Sequence, residues 1–169
     1  MEPVNVHRRR LVAGAGALVL AGLGGCAGPS RQPGQGGASP GPSPMTDQQA
    51  GEAAFLALGL VGTPYRYGGN TPESGFDCSG LIGYVYRRAA GISPPRTVAQ
   101  IVRWGQSVGA DHLRAGDLVI FGDNGAASHA AIYVGESRFV HAPSTGGTVR
   151  LNAFGERYWA RRLLDYRRA

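Results

Sequence analysis

The chain has 169 residues and a formal charge of +6, enough for one domain with its own core. All 17 residues in its Lys+Arg count are arginines, and none of them forms a stripe interleaved with aromatics, which argues against a nucleic-acid-binding surface. Two cysteines are too few for a disulfide scaffold, and the mild basic excess suits either an anionic partner or solubility alone.

The N-terminal 25 residues read as an export signal. His7-Arg8-Arg9-Arg10 is a positive run, and residues 11–23 form an apolar stretch too short to span a bilayer comfortably. Small residues follow, ending in Leu23-Gly24-Gly25-Cys26, which resembles a bacterial lipobox with Cys26 as the lipid-bearing residue. An ordinary signal peptide that happens to contain a cysteine is the alternative, and the arginine run leaves Sec or twin-arginine export open. Residues 26–45 are mostly Gly, Pro, Ser and Gln, with too little apolar surface to offset ordering entropy, and are expected to be a disordered tether. The alanine after Cys26 suggests outer-membrane retention facing the periplasm if the source is Gram-negative.

The folded domain is expected over residues 46–169. Asp47 is placed to cap a first helix over 47–60, with Ala53, Ala54, Ala57, Leu58 and Val61 near helical spacing. A second helix opens at Cys78, buries Leu81, Ile82, Val85 and Ala89, and stops at Gly91. A third, short helix fits residues 97–104. From Asp117 onward the pattern changes to strands over 117–121, 129–134, 138–141, 148–151 and 163–166, with turns at 123–125 and 135–137. Arg161, Arg162, Arg167 and Arg168 read as part of a solvated terminal strand. Helices followed by a mostly antiparallel sheet make an α+β domain.

Cys78 is the residue with the most chemistry. The run Gly75-Phe76-Asp77-Cys78-Ser79-Gly80 puts it at a helix start, where unpaired N–H groups and the dipole favour the thiolate. A lipidated Cys26 leaves Cys78 without an intrachain partner; a Cys26–Cys78 disulfide is the structural alternative. His129 opens one strand and His141 closes the next, so a hairpin brings them together, His129 as base and His141 as its orienter. A buried cysteine acting as a small hydrophobe and a Cys/His zinc site are the competing readings. The second lacks C-x-x-C or H-x-x-x-H spacing.

The motifs Gly62-Thr63-Pro64-Tyr65-Arg66-Tyr67-Gly68-Gly69 and Asp77-Cys78-Ser79-Gly80 come first in a collinear series. Pro95-Arg96-Thr97 with Gln100, Leu113-Arg114-Ala115-Gly116-Asp117-Leu118-Val119, Ser128-His129 and Phe139-Val140-His141-Ala142 complete it. Together they resemble the NlpC/p60 family of cell-wall cysteine peptidases, over about residues 53–162. The resemblance implies a papain-like fold and hydrolysis of peptidoglycan peptide bonds, with Cys78 as nucleophile, His129 as base and His141 as third member. It implies an oxyanion role for Tyr65 and a substrate-groove position for Asp77 and Ser79. Arg96 is open between a substrate carboxylate contact and a structural ion pair. No metal or cofactor is implied, and the partners expected are peptidoglycan and, through Cys26, a membrane, for a monomer. Ala130-Ala131 departs from the commoner valine-glycine after the histidine. The architecture is similar to small lipoprotein murein DD-endopeptidases, but D-alanine–diaminopimelate cross-links and D-glutamyl stem bonds both stay open as targets. So does a catalytically silent, wall-binding or scaffolding lipoprotein.

Overall fold

The computed structural model describes residues 44–169; the signal segment, Cys26 and most of the tether lie outside the described residues. Helix α1 (Asp47–Gly59) is capped by Thr46, not Asp47. The Thr46 hydroxyl accepts from the Gln49 N–H at 3.2 Å, and the Gln49 side chain accepts from the Thr46 N–H at 3.0 Å, a reciprocal capping box. Ala50, Ala53, Ala54 and Ala57 form the buried face, and this run of small side chains lets the helix backbone approach closely. An added Cβ on Gly116 would lie 2.4 Å from the Ala50 carbonyl oxygen. Leu58 and Val61, expected inside, are exposed, whereas Met45, expected in the tether, is buried in the core.

A two-strand ribbon, β1 (Asn70–Thr71) with β2 (Gly75–Phe76), leads into helix α2 (Cys78–Ala90). Asp77 caps α2 by accepting from the Gly80 N–H at 2.7 Å, and Gly91 closes it in the left-handed conformation at φ 70°. Leu81, Ile82, Val85 and Tyr86 are fully buried, and the Tyr86 hydroxyl donates to the Gly116 carbonyl at 2.5 Å. The third helix is shorter than its apolar pattern suggests: α3 spans Val98–Ile101 after Thr97.

The sheet has the order β3–β8–β4–β5–β6–β7, antiparallel throughout: β3 (Gln106–Ser107), β4 (Leu118–Asp123), β5 (Ala126–Gly135), β6 (Arg138–His141), β7 (Arg150–Ala153) and β8 (Leu163–Arg168). Two apolar layers explain the continuous run of β4. Leu118 and Ile120 join the main core with Ala130, Ile132 and Val140, under the helices. Val119 and Phe121 join a second cluster with Ala131 and Phe139, covered by Phe154 and Trp159. Trp159 belongs to a short helix, α4 (Arg157–Ala160), which carries no recognisable periodicity in the sequence.

The terminal strand is not a solvated strip. Arg168 grips the buried Asp117 carboxylate with two hydrogen bonds of 2.9 and 2.7 Å and donates to the His112 carbonyl at 2.6 Å. Arg167 donates to the Trp104 and Gly105 carbonyls. The arginines thus clamp the last strand to the domain, because a buried Asp117 needs a paired cation. Asp117 is structural, as its place after a glycine turn suggests.

Candidate active site

Cys78 sits at the first turn of α2, half-buried and unpaired among the described residues, in an open cleft of about 510 Å³. Tyr65, Asp77, Ser79 and Arg96, all named from the sequence, line the same cleft, joined by Tyr67, Gly68, Thr97 and Ser128. Local folding brings them together. The segment before β1 is tied on both sides: the Tyr65 N–H donates to the Gly147 carbonyl at 2.8 Å and the Arg66 N–H to the Phe76 carbonyl at 3.0 Å. The first turn of α2 then presses on the Gly68-Gly69 loop. An added Cβ on Gly80 would lie only 2.0 Å from the Gly69 carbonyl oxygen, so only glycine fits there.

Asp77, Ser79 and Arg96 turn chiefly toward one another. Arg96 forms a bidentate pair with Asp77 at 2.6 and 2.9 Å, and its guanidinium also contacts the Ser79 hydroxyl. Ser79 donates to the Arg96 carbonyl at 2.7 Å, and the second Asp77 oxygen accepts from the Gly68 N–H at 2.9 Å. The structure therefore shows Arg96 in an ion pair, and that pair forms one wall of the cleft. Burial alone would raise the Asp77 carboxyl, but Arg96 and the Gly80 and Gly68 amides outweigh it and hold it below the usual carboxylate range. Tyr65, which lines the cleft with Cys78, is pushed above the ordinary phenol range by burial first, then by the charges of Cys78 and Asp77.

The thiol departs from expectation. Burial and then the Asp77 carboxylate push Cys78 up; the N–H groups of Ala130, Ser79 and Cys78 itself pull it down, but less. The helix start does lower the thiol, as the sequence suggests, yet desolvation and a neighbouring anion win. The Ala130 amide on that sulfur places Cys78 against β5, one residue past His129.

His129 and His141 do meet. Their rings contact through His129 Nε2 and His141 Nδ1 at 2.9 Å, and His141 is fully buried. A bulge between Phe121 and Gly122 re-registers β4 on β5 beside His129. Phe121, Phe139 and Trp159 box the two imidazoles; Trp159 meets His141 edge-on with ring centroids 4.7 Å apart. Burial, then the neighbouring His141, pushes His129 well below the ordinary imidazole range. Burial also pushes His141 down, partly opposed by its hydrogen bond to Asn152. Both rings are neutral at pH 7.

His141 Nε2 lies 2.7 Å from the Asn152 Oδ1, and Asn152 Nδ2 donates to both Glu156 carboxylate oxygens at 2.8 and 2.7 Å. Sequence reading missed Asn152, Glu156 and Trp159. The strand was expected to end at 151, which left Asn152 outside it. Among the described residues, no group of three or more His, Cys, Asp or Glu is gathered as metal ligands.

Helices packed on an antiparallel sheet, with Cys78 at a helix start and His129 and His141 on neighbouring strands, define an α+β domain. The chain belongs to the NlpC/P60 family, whose model matches residues 62–168. It is 38% identical over 112 residues to the murein DD-endopeptidase MepH of Escherichia coli, covering 64% of this chain and 41% of that protein. It is 40% identical over 110 residues to the gamma-DL-glutamyl hydrolase of Bacillus subtilis, covering 64% of this chain and 26% of that one. The match to the E. coli murein DD-endopeptidase MepS/murein LD-carboxypeptidase is 37% over 107 residues, covering 63% and 56%. The chain thus spans about a quarter to just over half of these relatives' lengths. The crystal structure of the NlpC/p60 domain of the peptidoglycan hydrolase SagA superposes with a TM-score of 0.62 at 29% identity, covering 71% of this chain and 98% of that domain.

Proposed function

We propose that the protein is a cysteine peptidase that hydrolyses amide bonds of peptidoglycan peptides, with the D-alanine–diaminopimelate cross-link as its target. The observation that carries this reading is the half-buried Cys78 in an open cleft, held against β5 next to His129, whose ring bonds that of the buried His141. Two of the relatives named above are murein DD-endopeptidases, which supports the cross-link. The gamma-DL-glutamyl hydrolase relative supports the stem bond as the second reading.

The proposed steps are those of thiol acyl transfer. Cys78 passes its proton to His129 as the sulfur attacks the carbonyl carbon, forming a C–S bond and an oxyanion. The Cys78 N–H and the Tyr65 hydroxyl are the donors for that oxyanion. His129 then protonates the leaving amine as the C–N bond breaks. Water, deprotonated by His129, cleaves the thioester and restores the thiol. Asp77, Ser79 and Arg96 form the groove wall that receives the peptide. The proposal includes export and lipid anchoring through Cys26, with residues 26–45 as tether, placing a monomeric domain at the outer membrane.

The test uses the full chain and purified cross-linked muropeptide dimers, with products read by mass spectrometry. Wild type yields monomers from the dimer, and Cys78→Ala yields none. Identical product sets from the two proteins would sink the reading; cleavage within one stem instead would move it to the D-glutamyl bond. Tight retention on insoluble peptidoglycan without turnover would mark a scaffold. Radiolabelled palmitate incorporation lost on Cys26→Ala checks the anchor.

A further inference from the structure

Two side chains outside the triad, Asn152 and Glu156, form a hydrogen-bonded chain that runs through His141 to the base. Glu156 is exposed; its carboxylate accepts from the Ala153 N–H at 2.8 Å and from Asn152 Nδ2 at 2.8 and 2.7 Å. The Ala153 amide first, then Asn152, hold it below the usual carboxylate range, so it is ionised at pH 7. An ionised carboxylate accepts only, which settles the Asn152 amide. With Nδ2 toward Glu156, Oδ1 must face His141; flipped, an oxygen would meet the carboxylate with no proton between them.

The rest follows by counting protons. Asn152 Oδ1 accepts, so His141 Nε2 carries the hydrogen. A neutral imidazole has one N–H, leaving His141 Nδ1 as a bare acceptor. His129 Nε2, 2.9 Å away, is therefore the donor, and His129 Nδ1 holds the lone pair. Register supports this arrangement. Asn152 pairs with Phe139 across β6–β7, which puts its side chain on the same sheet face as His141, on the diagonal. His141 is fully buried, so water cannot reset it.

Resting on the peptidase reading, we infer that Asn152 and Glu156 are positioning residues that fix the tautomers of His141 and His129, so that the base presents an unprotonated Nδ1 for the thiol's proton. If the amide were free to turn, Nδ2–H would face His141 Nε2. The hydrogen would move to His141 Nδ1, then to His129 Nδ1, and the base would already be occupied. Neighbouring Arg150 lines a surface cleft with His141, Asn152 and Glu156.

The test has two readouts. In ¹⁵N-histidine-labelled wild type at pH 7, NMR shows both His129 and His141 as neutral Nε2–H tautomers, without any substrate. Asn152→Leu loses that signature for one or both rings and lowers kcat about 10–100-fold with KM little changed, less than the roughly 10⁴ lost when a triad orienter imposes the wrong tautomer. Asn152→Asp combined with Glu156→Gln, which keeps an acceptor for His141 Nε2 and returns a donor opposite it, recovers the Nε2–H signal and most of kcat. Glu156→Ala leaves the ring contact in place and gives mixed tautomers with an intermediate loss, and it decides the matter if Asn152→Leu does not fold. A wild-type spectrum with His141 protonated on Nδ1 overturns the inference, as do unmoved tautomers and kcat in both variants. Because the spectrum needs no turnover, an inactive wild type with the expected tautomers would remove the peptidase reading alone.

Discussion

Replacing Asp77 separates the stability of the site from the acidity of its thiol, because the two should move in opposite senses. The carboxylate does three jobs: it caps α2 through Gly80, holds the Gly68 amide, and pairs with Arg96. Losing the cap in Asp77→Ala costs about 1 kcal/mol. The ion pair has excellent geometry, but the Arg96 side chain is 45% exposed against 12% for Asp77, so the freed guanidinium rehydrates and the pair adds only about 1 kcal/mol. Gly68 is exposed and its amide finds water. The sum is about 2 kcal/mol, read as a urea midpoint lower by about 1 M at an m-value of about 2 kcal/mol per M. Asp77→Asn keeps the cap and loses about half as much.

The same change should make the thiol more acidic. Asp77 is the second cause, after burial, of the raised Cys78, and its removal also leaves Arg96 uncompensated nearby. The pH dependence of iodoacetamide alkylation at Cys78 therefore shifts to lower pH in Asp77→Asn. A thiol midpoint that stays put or rises would refute the electrostatic account, and an unshifted urea curve for Asp77→Ala would refute the capping account.

Gly80→Ala should destabilise the fold by about 2 kcal/mol, since a Cβ there meets the Gly69 carbonyl at 2.0 Å. Gly51→Ala, in α1 with nothing near its Cβ, should stabilise by about 1 kcal/mol in the same urea assay, so the two substitutions have opposite signs. Both histidines have native values below their unfolded ones, so the unfolded chain binds more protons once pH falls below about 6.5. Stability should be flat above that pH and fall below it, approaching about 2.7 kcal/mol per pH unit while both rings resist protonation, and calorimetry of wild type against His129→Ala should show the slope halved in the variant.

The sequence made some elements plain and hid others, for identifiable reasons. Helix α2 was legible from end to end because Asp77 and Gly91 are strong local signals that tertiary contacts do not override. β6 was legible because its two turns are fixed by glycine and short polar residues. The first helix was misread at its exposed end: an alanine face does the packing, and Leu58 and Val61 only continue the helical spacing. The two-residue strands β1 and β3 fall below the length at which alternation can register. The meeting of His129 and His141 was legible from strand order, but the contacts of Asn152, Glu156 and Trp159 around them were not. Their role exists only through the β6–β7 register and the turn into α4, which no local pattern encodes.

The direction of the two titrations decides how the site must work. Burial pushes the thiol up and the imidazole down, so the resting pair is thiol and neutral imidazole rather than thiolate and imidazolium. A helix N-terminus that delivered a ready thiolate would make the histidine's tautomer secondary. On the proposed peptidase reading, the proton has to move as the sulfur attacks, and the base must offer a lone pair on the right nitrogen before substrate arrives. Acidity and readiness are therefore governed by different networks: Asp77 and Arg96 set the first from the helix side, and Asn152 and Glu156 set the second from the sheet side. A more acidic thiol in Asp77→Asn raises alkylation without supplying the base. Asn152→Leu removes the base's preparation without making the thiol harder to alkylate at high pH. If both variants changed alkylation and turnover in parallel, the two networks would be one, and the neutral-pair account would have to give way to a preformed ion pair.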